Sequence, residues 1–249
     1  MIRVGTAGWA IASAFRAAFP GEGTHLARYA RVFHCVEINS SFYRPHRRDV
    51  YRGWARQTPR GFRFSVKLPR EITHERRLRG ARRALAAFLD QVGGLGSRLG
   101  PLLVQMPPSL PYEARVARRF FSMLREQYAG SVVCEPRHAS WLAPGAVRLF
   151  QDFGVGRVAA DPALAAAVEP AGDFTTAYFR LHGSPRMYWS RYTPEQITYW
   201  GTQLKRWSAR SRVWCIFDNS ASNAALANAL QLSDALRGAP GQHASVSAG

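Results

Sequence analysis

The chain has 249 residues, 47% of them hydrophobic, and a formal net charge of +18 at pH 7. That length suits one barrel-sized domain with a substantial core, and no run approaches the roughly 20 uninterrupted apolar residues of a membrane helix. A strand-like stretch, Arg3–Trp9, starts near the first residue and leaves no room for a signal peptide, so the expectation is a cytoplasmic protein with no membrane partner.

Apolar runs of four to eight residues alternate with longer segments of helical period, the pattern of βαβ units around a parallel sheet. The first half reads as strand Arg3–Trp9, helix His25–Phe33, strand Cys35–Ile38, helix Asp49–Gln57, strand Phe62–Lys67, helix Ala81–Val92 and strand Leu102–Gln105. Next come helix Tyr112–Tyr128, strand Val132–Glu135, helix Trp141–Phe153 and strand Val155–Ala160. Strand Tyr178–Leu181, helix Pro194–Ala209, strand Val213–Phe217 and helix Ala221–Leu236 complete the pattern. Thr193, Pro194 and Gln196 spell a capping box with proline at the first helical position. Gly130, Gly154 and Gly238 follow helical segments where a left-handed residue is wanted.

Eight strands in this length favour closure, so the predicted fold is α/β, a single (β/α)8 barrel of the TIM type over residues 1–237. The competing open doubly wound sheet lacks a glycine-rich dinucleotide fingerprint after any strand. Residues 238–249 are small and polar, and are expected to be disordered. Cys35, Cys134 and Cys215 sit in strand-like runs without metal-ligand spacing and read as buried reduced thiols. Only Lys67 and Lys205 are lysine, and arginines are spread over most helices. The charge therefore reads first as a compositional, solubilising feature and second as a polyanion-binding surface.

Strands of a parallel barrel are buried on both faces, so a charge within one requires a reason. Glu37, Lys67, Glu135, Arg137, Asp161, Arg180, His182 and Asp218 fall at or just past carboxyl ends of predicted strands, as do Asn39, Gln105 and Asn219. In this fold that end carries the active site. Alternate residues share a face. Glu37 therefore goes with Asn39, Ser65 with Lys67, Glu135 with Arg137 and Arg180 with His182, opposite Val36, Ile38, Phe64, Val66, Cys134, Phe179 and Leu181. The polar sets are expected to converge on the barrel axis; the bland alternative is a self-satisfied ion-pair network.

After strand seven, the amides of Gly183 and Ser184, the cations Arg180 and Arg186, and Ser220 as a helix cap suit a phosphate or carboxylate. Trp9, Phe42, Tyr43, Trp141, Tyr188, Trp189 and Tyr192 recur in the same loops. They suit a sugar ring or base, or serve as lids over the rim. Arg70 and His74 follow strand three, His74 reading more readily as an ordinary loop histidine than as a general base.

Eight ordered blocks resemble the YecE-like family, domain of unknown function 72. They include Gly5-Thr6-Ala7-Gly8-Trp9, the run Val36 to Tyr43, Val66 to His74, Gln105 to Ser109, Glu135 to Trp141, Ala160-Asp161, Arg180 to Ser184 and Phe217-Asp218-Asn219. The resemblance implies a TIM barrel of unassigned activity. Pro136 stands where the family's Glu-Phe-Arg-His block has phenylalanine.

The leading reading is a metal-independent enzyme acting on a small anionic or sugar-like molecule, with no cofactor. Glu37, Lys67, Glu135 and His182 are the candidate catalytic groups. Asn39, Tyr43, Arg70, His74, Gln105, Arg137, Asp161, Arg180, Gly183, Ser184, Arg186, Asp218 and Asn219 are the candidate substrate contacts. Beside two carboxylates, Lys67 reads as a positioning or proton-transfer group rather than a Schiff-base nucleophile. One alternative places a divalent metal among Glu37, Glu135, His182 and Asp218, giving a phosphoesterase, nuclease or isomerase, although Lys67, Arg137 and Arg180 count against it. Another is a nucleic-acid-binding protein.

Overall fold

The computed structural model describes residues 1–164 and 169–238. The tail expected to be disordered lies, beyond Gly238, outside the described residues. In chain order the strands are β1 (Ile2–Thr6), β2 (Cys35–Ile38), β3 (Arg63–Lys67), β4 (Leu99–Gln105), β5 (Val132–Glu135), β6 (Val155–Arg157), β7 (Ala159–Asp161), β8 (Ala171–Gly172), β9 (Thr176–Leu181) and β10 (Arg212–Phe217). The helices are α1 (His25–Val32), α2 (Ser40–Tyr43), α3 (Arg48–Arg56), α4 (Arg82–Val92), α5 (Ala114–Gln127), α6 (Pro144–Asp152), α7 (Pro194–Ser208) and α8 (Ala224–Arg237).

One sheet runs β1-β10-β9-β7 and the other β2-β3-β4-β5-β6-β8. All pairings are parallel except that of β8 with β6. The sheets approach each other at two seams. Past β1, Ala7 bridges in parallel to Glu37, and the Gly8 amide donates to the Glu37 carbonyl at 2.9 Å. A Cβ on Gly5 would lie 2.3 Å from the Cys35 carbonyl oxygen, so the backbones sit too close for a side chain there. At the second seam β6 and β7 form one extended segment interrupted at Val158; β6 pairs with β5 and β7 with β9. Here a Cβ on Gly156 would come within 2.9 Å of the Thr176 carbonyl oxygen.

The two faces of the strands bury different clusters. Val36, Ile38, Phe64, Val66, Cys134, Phe179 and Leu181 join the large core that includes Leu85, Phe121, Leu149 and Leu204 of the helices. Cys35, Leu103, Val133, Val158, Tyr178, Trp214 and Ile216, drawn from both sheets, form a separate small cluster. Cys35, Val133 and Tyr178 each stand two residues before a buried charge, Glu37, Glu135 and Arg180 respectively. Alternation thus stacks a charged layer on an apolar plug.

The Thr193 box forms as read: its hydroxyl accepts from the Gln196 amide at 3.3 Å, and Gln196 Oε1 accepts from the Thr193 amide at 2.9 Å. Three local readings are corrected. Ser220 does not cap the last helix, because residues 220–223 make a turn and α8 begins after Asn223. Gly130 is not left-handed; a Cβ there would strike the Tyr128 ring at 2.3 Å, so close approach is the reason for glycine. The helix read from Trp141 starts at Pro144, behind a 3-10 turn, Ala139–Leu142. All three cysteines are buried and free. Among the described residues no helix is long and apolar enough to cross a membrane.

Candidate functional site

Arg180, near the end of β9 and 2% exposed, is the hub of the charged layer. Its Nε and Nη2 fork onto Glu37 at 3.1 and 2.7 Å, Nη1 donates to Glu135, and Nη2 also reaches Asp218 at 2.8 Å. Tyr178 adds a 2.8 Å hydroxyl donation to Glu37. Arg137 pairs with Glu135. His182 lies 3.1 Å from Glu135 through Nε2 and 3.2 Å from Asp218 through Nδ1. Arg137 Nη2 also lies 2.7 Å from His182 Nε2.

Burial pushes the Glu135 carboxyl up, but Arg180, Arg137 and His182 more than reverse this and hold it well below the usual carboxylate range. Asp218 is lowered in the same way, burial being outweighed by Arg180, His182 and Lys67. Burial works against the Arg180 cation, yet Glu135, Glu37 and Asp218 raise it well above its ordinary value. The layer is an almost fully compensated ion cluster.

Lys67, at the end of β3, is the exception. Its ammonium lies 4.0 Å from the centroid of the Phe42 ring. Among the described residues its ammonium has no hydrogen bond or ion pair; the oxygens of Glu37 and Glu135 and Oδ2 of Asp218 face Arg180, Arg137, Tyr178 and His182. Burial, then the Arg180 charge, lower its pKa to about 8. His74, its imidazole held by Thr73 at 2.8 Å and packed on Phe42 at 4.8 Å, is lowered by burial, Lys67 and Arg70.

Glu37, Glu135, Arg137, Arg180, His182 and Asp218 thus meet as the sequence led one to expect, with Lys67 alongside. Other expected contacts are otherwise employed. Arg180 is not a free anion holder, because carboxylates consume its donors. The Gly183 amide donates to the Tyr192 hydroxyl at 2.9 Å, so it is not free for an anion, and that hydroxyl donates to Asp161 Oδ2 at 2.6 Å, which engages that oxygen within the protein. Asn219 donates to Ser190 and Asn228, while its Oδ1 and that of Asn39 are buried without partners. Gln105 donates to the Met106 carbonyl at 2.7 Å. Arg70 pairs with Glu75 at 3.0 Å on a rim groove shared with Tyr43, which is 75% exposed. Arg186 stacks on Trp189 at 4.6 Å, and Ser184 is partly buried at the head of that loop. Pro136 leaves Glu135 and Arg137 in the cluster.

Sequence reasoning missed Tyr178, although it shares strand parity with Arg180. It also missed Asn228 of α8, which receives the Tyr192 amide at 3.1 Å and carries no signal in the sequence. The Tyr188 ring meets His182 edge-on at 5.4 Å. The donor set does not suit a divalent metal: Glu37, Glu135 and Asp218 converge on a guanidinium that occupies the point of convergence. Among the described residues no group of three or more His, Cys, Asp or Glu is arranged to hold an ion.

These features define an α/β protein of mixed, mainly parallel sheets with a charged cluster at its strand ends. The family model for DUF72, protein of unknown function, matches residues 3–248, and the chain belongs to that family. It is 32% identical over 153 residues to the UPF0759 protein YecE of Escherichia coli (strain K12), covering 59% of this chain and 56% of that one. The O157:H7 counterpart is 33% identical over 123 residues, 49% of this chain and 44% of the relative. The chain thus spans about half the length of the curated relatives it matches. A solved DUF72 family protein from Thermotoga maritima superposes with a TM-score of 0.81 at 24% identity, covering 95% of this chain and 99% of that one. One from Enterococcus faecalis gives 0.81 at 20%, covering 95% and 96%. At these identities the likeness shows the fold alone.

Proposed function

We propose that the two sheets close into an eight-stranded (β/α)8 barrel and that the chain is a metal-independent enzyme acting on a small anionic or sugar-like molecule at its carboxyl-end cup. Closure is supported by the parallel bridge at the Gly5 seam, the shared segment at the Gly156 seam, and the apolar plug built from both sheets. The observation that carries the function is Lys67: a partly buried amine with no ion partner among the described residues, beside a cluster whose carboxylates already pair with Arg180 and Arg137. Lys67 takes and returns a proton, the cluster fixes its electrostatic surroundings, and His182 is the second acid–base group. The unpartnered oxygen of partly buried Asn39 accepts from a substrate hydroxyl.

A thermal-shift panel of phosphorylated sugars, nucleotides and carboxylates, with and without divalent metals, tests this reading. At least one compound is expected to raise the melting temperature without metal, and to lose that effect in Lys67→Met. A panel that shifts nothing, or only with metal, contradicts it. Arg186 stacked on half-exposed Trp189 favours a second reading, binding of single-stranded nucleic acid at the rim. That reading requires filter-retained complexes at low salt that vanish steeply as salt rises; no complex at low salt dismisses it.

A further inference from the structure

We propose that Lys67 forms a Schiff base with a small aldehyde or ketone held in the cup, an inference that rests on the site assigned above and names its substrate class. Three carboxylates nearby would ordinarily keep a lysine protonated and salt-bridged. Here most of that capacity is engaged: Glu37 by Arg180 and Tyr178, Glu135 by Arg180, Arg137 and His182, and Asp218 through Oδ2 by Arg180 and His182. Lys67 instead faces the Phe42 ring at 4.0 Å, an apolar surface that accepts either protonation state. The groups influencing it are Arg180 from β9, Glu37 from β2, Glu135 from β5, Asp218 after β10 and His74 from the turn after β3. Burial and the fixed Arg180 cation favour the neutral amine, bringing its pKa to about 8. The side chain is only partly buried, so a small molecule can reach it. An amine kept free by desolvation and a neighbouring cation is the arrangement that imine chemistry uses.

The step balances without a further reactant. The free amine's lone pair attacks the carbonyl carbon, the C=O π pair moves to oxygen, and a proton passes from nitrogen to that oxygen. The resulting carbinolamine hydroxyl leaves as water with a proton, while the nitrogen lone pair forms the C=N bond. Overall, ammonium and carbonyl give one iminium and one water, both hydrogens of the water coming from the ammonium. The iminium then draws electrons from the adjacent carbon.

The only other lysine, Lys205, is exposed on α7 and serves as an internal reference. At pH 7 an amine titrating near 8 is free in about one molecule in ten, against about one in 3,000 at the ordinary lysine value. Lower basicity offsets part of that gain, so the expected reactivity ratio is about tenfold or more. The intact protein is incubated at pH 7 with glycolaldehyde, and separately with glyoxylate, in the presence of cyanoborohydride, then digested and mapped by mass spectrometry. Lys67 is expected to carry the reduced adduct at least about tenfold faster than Lys205, and Lys67→Arg to show none at that position. Peptide mapping separates both from the Met1 amine. Acetylation rates of the two lysines against pH supply the control. If Lys67 acetylation inflects near pH 8 but its imine is trapped no faster than that of Lys205, the Schiff base is overturned and the acid–base reading stands. If Lys67 inflects together with Lys205, both fall.

Discussion

At the scale of the residue, Lys67 has a consequence for stability as well as chemistry. Its folded pKa, about 8, lies below the unfolded value of 10.5, so between those values the unfolded chain binds more protons. Stability therefore rises with pH across that window. At pH 7 the protonated amine destabilises the fold, and Lys67→Met is expected to stabilise it by about 2 kcal/mol. Urea denaturation at pH 7 and 10 checks this: the gain over wild type should be present at pH 7 and mostly gone at 10. An equal effect at both pH values would show that packing, not charge, is responsible. Much of this site was legible in the sequence, because strand parity groups Glu37, Glu135 and Arg180 on one face. The partners were not. Parity says which face a side chain joins, but not that Arg180 would reach three carboxylates and leave Lys67 alone. Likewise the Gly183 amide looked free until Tyr192, nine residues on, supplied its partner.

At the scale of the element, periodicity located most helices and strands, and what it missed has short-range causes. β8 is two residues long and the turn Glu71–Glu75 is a single π-helical turn, both too brief to show a period. The run from Val155 reads as one strand, but its two halves serve different neighbours. Gly5 and Thr193 give contrasting expectations. Gly5→Ala drives a methyl to 2.3 Å from a backbone oxygen at a seam that cannot separate without breaking sheet contacts, and should cost about 3 kcal/mol. Thr193→Ala removes an exposed cap and should cost about 1 kcal/mol. Chemical denaturation of the two variants ranks them, and the reverse order would mean the β1–β2 seam is loose.

At the scale of the whole molecule, the +18 charge is borne largely by the surface, where pairs such as Arg70–Glu75 and Arg118–Asp152 are more than half exposed and each contributes about 1 kcal/mol or less. The interior ion cluster is different in kind. Its members are brought together by the tertiary fold, with Glu37 and Arg180 143 positions apart in the chain. Their meeting depends on both sheets facing one interior, with the apolar plug beneath. Removing one partner of such a buried set strands the others, at about 3–5 kcal/mol. Removing two that touch should cost far less than the sum, whereas distant residues add to within about 0.5 kcal/mol. The decisive measurement is a double-mutant cycle of Glu37→Gln and Arg180→Met by urea denaturation at pH 7. The double variant is expected to fall short of the summed single losses by about 2 kcal/mol or more; losses that simply add would contradict the convergence of these strand ends on one site.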